Sequence, residues 1–201
     1  MYADDLLTQI AHLEGLRTFL QQLSILDKTT LSSSGKLIVD SNVFLPRDVT
    51  SIEFPFEHVS LTFACRHTKI TSLKGAPQSV GGTFDCTGTN LTSLEGAPQS
   101  VGSDFSCGDT SITSLEGAPQ YVGGNFYCTY TKITSLKSIH KTHRNWKIGE
   151  VLYLPDDCAD IVGLALIDGI NRIYINDAEF DISDHDPHMF QEKLLDAGMK
   201  A

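Results

Sequence analysis

The chain has 201 residues, 41% hydrophobic and 20% charged, with five cysteines and a formal net charge of −10. That length provides for a sizeable core, and the acidic balance argues against a general phosphate-binding surface, so nucleic acid is not the expected partner. No run reaches the roughly 18 apolar residues of a membrane helix, and the opening MYADDLLTQI has acids where a secretory signal has cations. With an odd cysteine count, the expectation is a reduced cytoplasmic protein that engages no membrane. The charge is uneven: four basic and eight acidic residues in 1–62, five of each in 63–137, six basic and twelve acidic in 138–201.

In chain order, residues 3–26 carry Leu6, Leu7, Ile10, Leu13, Leu16, Leu20 and Leu23 at helical spacing, which predicts an amphipathic helix within an N-terminal cap, 1–41. A repeat solenoid is expected over 42–137. It opens with a degenerate coil, 42–62, in which Ile52 and Val59 stand 21 residues before Leu73 and Val80. Clear coils follow over 63–137: FACRHTKITSLKGAPQSVGGT from Phe63, FDCTGTNLTSLEGAPQSVGSD from Phe84, FSCGDTSITSLEGAPQYVGGN from Phe105 and FYCTYTKITSLKS from Phe126. A fixed period in this range means stacked units, each too small to bury its own apolar face alone. The C-terminal cap, 138–201, opens with NWKIGEVLYL, where Trp146 and Ile148 suggest another strand slightly out of period. The apolar run 161–177 reads as a short helix and then a strand. Asp186-Pro187 reads as the start of a last helix that buries Phe190, Leu194 and Leu195 and stops at Gly198.

Aligned by position, the unit reads V-x-x-x-F-x-C-x-x-T-x-[IL]-T-S-L-x-G-A-P, which matches the leucine-rich-repeat frame L-x-x-L-x-L-x-x-N-x-L-x-x-L. Phe and Cys take the inward strand positions, and Thr68, Thr89, Thr110 and Thr131 take the asparagine position. Alternation at F-x-C marks the strand. Gly-Ala-Pro then forces an irregular return limb, and Val80, Val101 and Val122 re-anchor it. The fold expected is an α/β repeat solenoid with a leucine-rich-repeat-like parallel β ladder, a helical N-terminal cap and an α/β C-terminal cap. The string TSLKGAPQSVGGTFDC (71–86) resembles short leucine-rich-type repeats of bacteriophage and some bacterial proteins, and the resemblance covers roughly 60–180. It implies the fold and a viral or bacterial source, and it carries over no catalytic residue.

No nucleophile elbow, phosphate loop or HExxH appears, so no enzyme activity and no cofactor are expected. One cysteine per coil at an inward position suits packing better than metal binding, and no metal site is expected. A T-x-T ice-binding face fails on regularity: Thr87-Gly88-Thr89 fits and Gly108-Asp109-Thr110 does not. Hydroxyls bonding the loop backbone fit the threonine column better. His185 and His188 among Asp181, Asp184 and Asp186 read as a polar loop into a helix cap, and His140 with His143 as a solvated patch.

What remains is the outward ladder, where residues vary while the inward set repeats. The candidate partner-binding residues are Arg66, His67, Asp85, Asp109, Tyr121, Tyr127 and Tyr130, and tyrosine is enriched at interface hot spots. The leading expectation is recognition of a protein partner. If the source is a phage, the resemblance points to inhibition of a host protein, of the defence machinery for instance, in the host cytoplasm. Two alternatives stand beside it. A self-assembling oligomer would use 161–175 as its interface, and a small-ligand or nucleotide site beside the C-terminal cap would be lined by Tyr127, Tyr130 and Trp146.

Overall fold

The computed structural model describes residues 2–137 and 139–199, with side chains described from residue 11 onward. Helix α1 (Tyr2–Gln22) and a 3-10 turn precede β1 (Thr29–Leu31), β2 (Leu37–Val39), β3 (Val43–Phe44), β4 (Phe56–Val59) and β5 (Phe63–Ala64). The repeats add β6 (Ser79–Val80), β7 (Phe84–Asp85), β8 (Ser100–Val101), β9 (Phe105–Ser106), β10 (Tyr121–Val122) and β11 (Phe126–Tyr127). Then come α2 (Ile139–Thr142), β12 (Lys147–Ile148), β13 (Val151–Tyr153), a 3-10 helix at Ile161–Leu166, β14 (Arg172–Ile175), β15 (Ala178–Asp181) and α3 (Pro187–Asp196).

The strands form a parallel β-solenoid of about seven turns. One sheet runs β1-β2-β4-β6-β8-β10-β12 and the other β15-β14-β13-β11-β9-β7-β5-β3. Each repeat therefore gives two strands where its sequence suggests one. Ser79–Val80 and its equivalents form a ladder of their own, because Val80, Val101 and Val122 all point into the core. The corner between the two sheets needs glycine. A Cβ on Gly102 would lie 2.0 Å from the carbonyl oxygen of Gly81 in the coil below. Most of the return limb between the strands is turns and bends, as Gly-Ala-Pro requires.

Columns of like residues fill the interior. Phe63, Phe84 and Phe105 stack with centroids 5.5 and 5.4 Å apart, Phe126 follows, and Trp146 closes the row edge-on to Phe126 at 5.3 Å. Each of these side chains is fully buried and contributes roughly 1.5–3 kcal/mol of transfer free energy. Cys65, Cys86, Cys107 and Cys128 form the adjacent column with free thiols, and Ile and Leu complete it.

The ends depart from the repeat. Antiparallel pairs finish each sheet at opposite ends, β1 on β2 and β15 on β14. Asn176 and Asp177 both have positive φ in the tight β14–β15 turn, the backbone a two-residue hairpin demands. The strand expected around Trp146 and Ile148 exists as β12, but it pairs with β10 in the seven-stranded sheet, and Phe126 pairs with Leu152 of β13 because the α2 segment lengthens this coil beyond 21 residues. Of the apolar positions expected in the helix, Leu20 is buried, Leu16 and Leu23 (the latter just past α1) are partly buried, but Leu13 is 58% exposed. Among the residues whose side chains are described, Phe19 lies 5.2 Å from Phe54, and from residue 11 onward the buried stripe is narrower than the leucine spacing implies. The side chains of Leu6, Leu7 and Ile10 lie outside the described set. Asp186 caps α3 by accepting from the His188 and Met189 amides at 2.8 and 3.4 Å. Phe190 and Leu194 are buried, whereas Leu195 is 57% exposed, a correction that follows from its 100° rotation past Leu194.

Candidate functional site: the outer face of the eight-stranded sheet

Strand register defines one outward column on this sheet: Phe44, Ala64, Asp85, Ser106, Tyr127, Tyr153, Tyr174 and Glu179. Extended backbone places these side chains on the face opposite the phenylalanine column. The column changes character along the solenoid. Small and acidic residues occupy its middle rungs. Tyr127 and Tyr153 then stack at 4.6 Å with an interplanar angle of 22°, and Tyr174 follows at 5.2 Å and 40°. Arg66 lies beside the column with Nη1 3.8 Å from Asp85 Oδ2. An exposed pair at that distance contributes little to stability.

Asp104 and Asn125, just before Phe105 and Phe126, form a hydrogen-bonded row with Glu150. Asp104 Oδ1 accepts from the Asn125 amide at 2.7 Å and from Asn125 Nδ2 at 3.3 Å, and Nδ2 also donates to Glu150 Oε2 at 2.8 Å. Partial burial, and then the charge of Asp104, the neighbouring Tyr153 and the charge of Glu150, raise the pKa of the Tyr127 phenol. The potential beside this ring is therefore negative.

The column two residues after each cysteine is different in kind. His67, Gly88, Asp109 and Tyr130 have φ of 57°, 67°, 52° and 56°, the left-handed region in which non-glycine residues are uncommon. The turn is locked by the next residue: the hydroxyls of Thr68, Thr89, Thr110 and Thr131 donate to the carbonyls of Cys65, Cys86, Cys107 and Cys128 at 2.7, 2.8, 2.8 and 2.9 Å. This row bonds the loop backbone in every clear coil.

The seven candidate residues thus fall into three places. Arg66, Asp85 and Tyr127 share the strand face. His67, Asp109 and Tyr130 stand on the turn column, with Tyr130 82% exposed. Tyr121 lies on the other sheet, paired with Ser100 and Lys147. Period-based reading misses Tyr153 and Tyr174, because they follow the lengthened coil. The alternation in VLYL and RIYI, with the tyrosine pointing out, is the signal that finds them.

A cavity of about 440 Å³ lies past the last repeat, lined among others by Tyr130, Lys132, Asp156, Asp157, Tyr174 and Asp177. Trp146, expected near such a site, is instead 1% exposed and packed on Phe126 and His143, and His143, expected in a solvated patch, is itself buried with its ring nitrogens bonded to Thr142 and the Leu115 carbonyl. An indole that closes the phenylalanine row cannot also line an outer cavity. Most apolar residues of 161–175 are taken up internally: Ile161, Leu164, Ala165, Ile167, Ile170, Ile173 and Ile175 are buried, whereas Val162 is partly buried and Leu166 is 51% exposed. The run forms much of the chain's own core, which leaves Leu166 and Val162 as the aliphatic side chains an oligomer interface here would use.

Among the described residues no group of three or more His, Cys, Asp or Glu side chains is placed to hold a metal ion. Asp184 accepts from Lys193 at 2.9 Å and Asp181 from Ser183 at 2.6 Å, so this acidic cluster organises the approach to α3. Burial pushes the Cys65 thiol from 9.0 up to about 12 and those of Cys86, Cys107 and Cys128 upward as well. They are packing groups, not nucleophiles. No described helix is long and apolar enough to cross a membrane. Comparison of the chain with protein-family models, curated proteins and solved structures finds no match.

Proposed function

We propose that the protein is a non-enzymatic recognition module whose outer eight-stranded face binds a protein partner, with the coils a form of the leucine-rich-repeat frame and the terminal segments its caps. The observation that carries this reading is the ladder Tyr127–Tyr153–Tyr174 on the outside of the sheet, its first pair stacked at 4.6 Å and its second tilted at 5.2 Å. Tyrosine provides large amphipathic area with few rotamers to immobilise, which is why it concentrates at interface hot spots. The supporting backbone is a parallel ladder fixed by side-chain columns, so the rings are held in place before any partner arrives. On the resemblance to phage repeats, the proposal extends to a host protein as target, bound and inhibited in the cytoplasm.

A photo-crosslinking residue placed at Glu179, the exposed register partner of Tyr174 at the end of the column, compared with one at Ser100 on the other sheet, tests this in lysate of the producing cells. A protein adduct formed only from position 179 is expected, and adducts formed only from position 100 would move the site to the seven-stranded face. A second reading, binding of a small ligand, is favoured by the cavity between Tyr130 and Tyr174. A ligand-dependent rise in melting temperature that is lost in Tyr130→Ala would support it.

A further inference from the structure

The aromatic stack ends at Ser106. Parallel strands are about 4.8 Å apart, and Tyr153 and Tyr127 use that spacing to lay one ring on the next, with Tyr174 tilted beyond them. One rung further, the register partner of Tyr127 is Ser106, whose side chain is too small to continue the stack, and beyond it stands Asp85. One face of the Tyr127 ring is covered by Tyr153, while the other is turned toward the Ser106 rung. Asp85 and Tyr127 are two rungs, about 10 Å, apart along the column. A planar group lying against the ring at about 3.5–4 Å occupies the level of Ser106 and leaves its far side to Asp85.

Charge selects the group. Asp104 stands on the same face of the strand as Ser106, two residues earlier, and bonds Asn125 through Oδ1. Asp85 is held by a bond from the Thr87 amide at 3.0 Å and stays within 3.8 Å of the Arg66 guanidinium. Two carboxylates therefore border one uncovered aromatic face. A guanidinium fits this arrangement, since it is planar, stacks on a ring, donates in its own plane toward Asp104 and turns its far face to the charge of Asp85, while an ammonium is drawn to the ring and the carboxylates but has neither the flat face nor the fork. The position of Arg66 shows that a guanidinium reaches the Asp85 carboxylate from this surface.

We propose that the Ser106 rung is an arginine-binding slot, in which a partner's guanidinium stacks on Tyr127, donates to Asp104 and lies under the charge of Asp85. This deepens the recognition reading and rests on it, by stating the chemistry of the partner: an extended segment presenting an arginine.

The test is a two-dimensional NMR titration of the full chain with the peptide acetyl-Gly-Gly-Arg-Gly-Gly-amide, beside its lysine and citrulline analogues. The arginine peptide is expected to give saturable shifts at the Ser106 and Tyr127 amides. The lysine peptide should bind at least fivefold more weakly, and the neutral citrulline peptide should leave both amides unmoved. Ser106→Tyr extends the stack with an outward residue and should abolish the shifts while the rest of the spectrum is unchanged. Asp85→Asn combined with Asp104→Asn should weaken binding at least threefold. No saturable shift in the parent, equal binding of lysine and arginine peptides, or shifts that survive Ser106→Tyr would each overturn the slot. The two readings fail separately. A crosslinked protein at position 179 with a flat arginine titration removes the slot and keeps recognition. A saturable titration with no crosslinked protein keeps the slot and removes protein recognition.

Discussion

Two outward columns on the same edge of the solenoid teach different lessons. The strand column passes from Ala64 through Asp85 and Ser106 to Tyr127, Tyr153 and Tyr174, all on extended backbone that accepts any of them. The turn column, His67, Gly88, Asp109 and Tyr130, is just as varied in type, yet each member is held near φ of +50° to +70°. Variation among repeats therefore marks side chains that point outward, and does not by itself mark freedom. In the turn column the backbone state is fixed by the neighbouring threonine and by the coil below. Substitutions there should register in stability, whereas substitutions in the strand column should register in binding.

The largest expected effect concerns the constant interior against which both columns are measured. A thiol held at about 12 in the folded chain and ionising near 9.0 once unfolded favours the fold fully below pH 9, and that contribution is lost as pH rises toward 12. Each such thiol removes about 1.4 kcal/mol per pH unit in that window. Urea midpoints should be flat from pH 7 to 8.5 and fall by pH 10, and an unchanged midpoint at pH 10 would show that the cysteine column is not buried. Next in size, Gly102→Ala should destabilise by about 3 kcal/mol, since its Cβ would lie 2.0 Å from a carbonyl oxygen and a coil must shift to admit it. Wild-type stability in equilibrium denaturation would refute the tight corner.

Within the turn column, Asp109→Val should cost about 1–2 kcal/mol, because a β-branched residue is strained at positive φ, while Asp109→Gly should be neutral or slightly stabilising. Equal melting temperatures for the two variants would remove the distinction between columns. Thr110→Val should cost about 1 kcal/mol through loss of the 2.8 Å bond to Cys107. The smallest change is expected in the strand column, where Ser106→Tyr should alter stability by no more than about 0.5 kcal/mol.

The interior was the most legible part of the chain. Phe, Cys, Ile, Leu and Val recur every 21 residues, and that period alone assigns the buried columns. Less legible was the second sheet, because a two-residue strand such as Ser79–Val80 is too short to show alternation. The first turn of the solenoid was hidden for another reason: Val39 pairs with Val59 and Val43 with Phe63, spacings one residue short of the repeat. The α2 segment likewise carried Tyr153 and Tyr174 out of the period, so the ladder looked as though it ended at Tyr127. Trp146 was misplaced because an aromatic residue next to a degenerate strand reads equally well as surface or as the end of the phenylalanine row. The left-handed column had a visible signal, since a column holding Gly88 and Asp109 is the composition of positive φ.

The most direct test of the recognition face is affinity capture from lysate of the producing cells with three baits: the parent, Tyr127→Ala/Tyr153→Ala on the eight-stranded face, and Tyr121→Ala/Lys147→Ala on the seven-stranded face. The account expects a partner retained by the parent and by the seven-stranded variant and lost from the tyrosine-ladder variant, with all three baits equally stable. Retention by the ladder variant together with loss from the seven-stranded variant would contradict it.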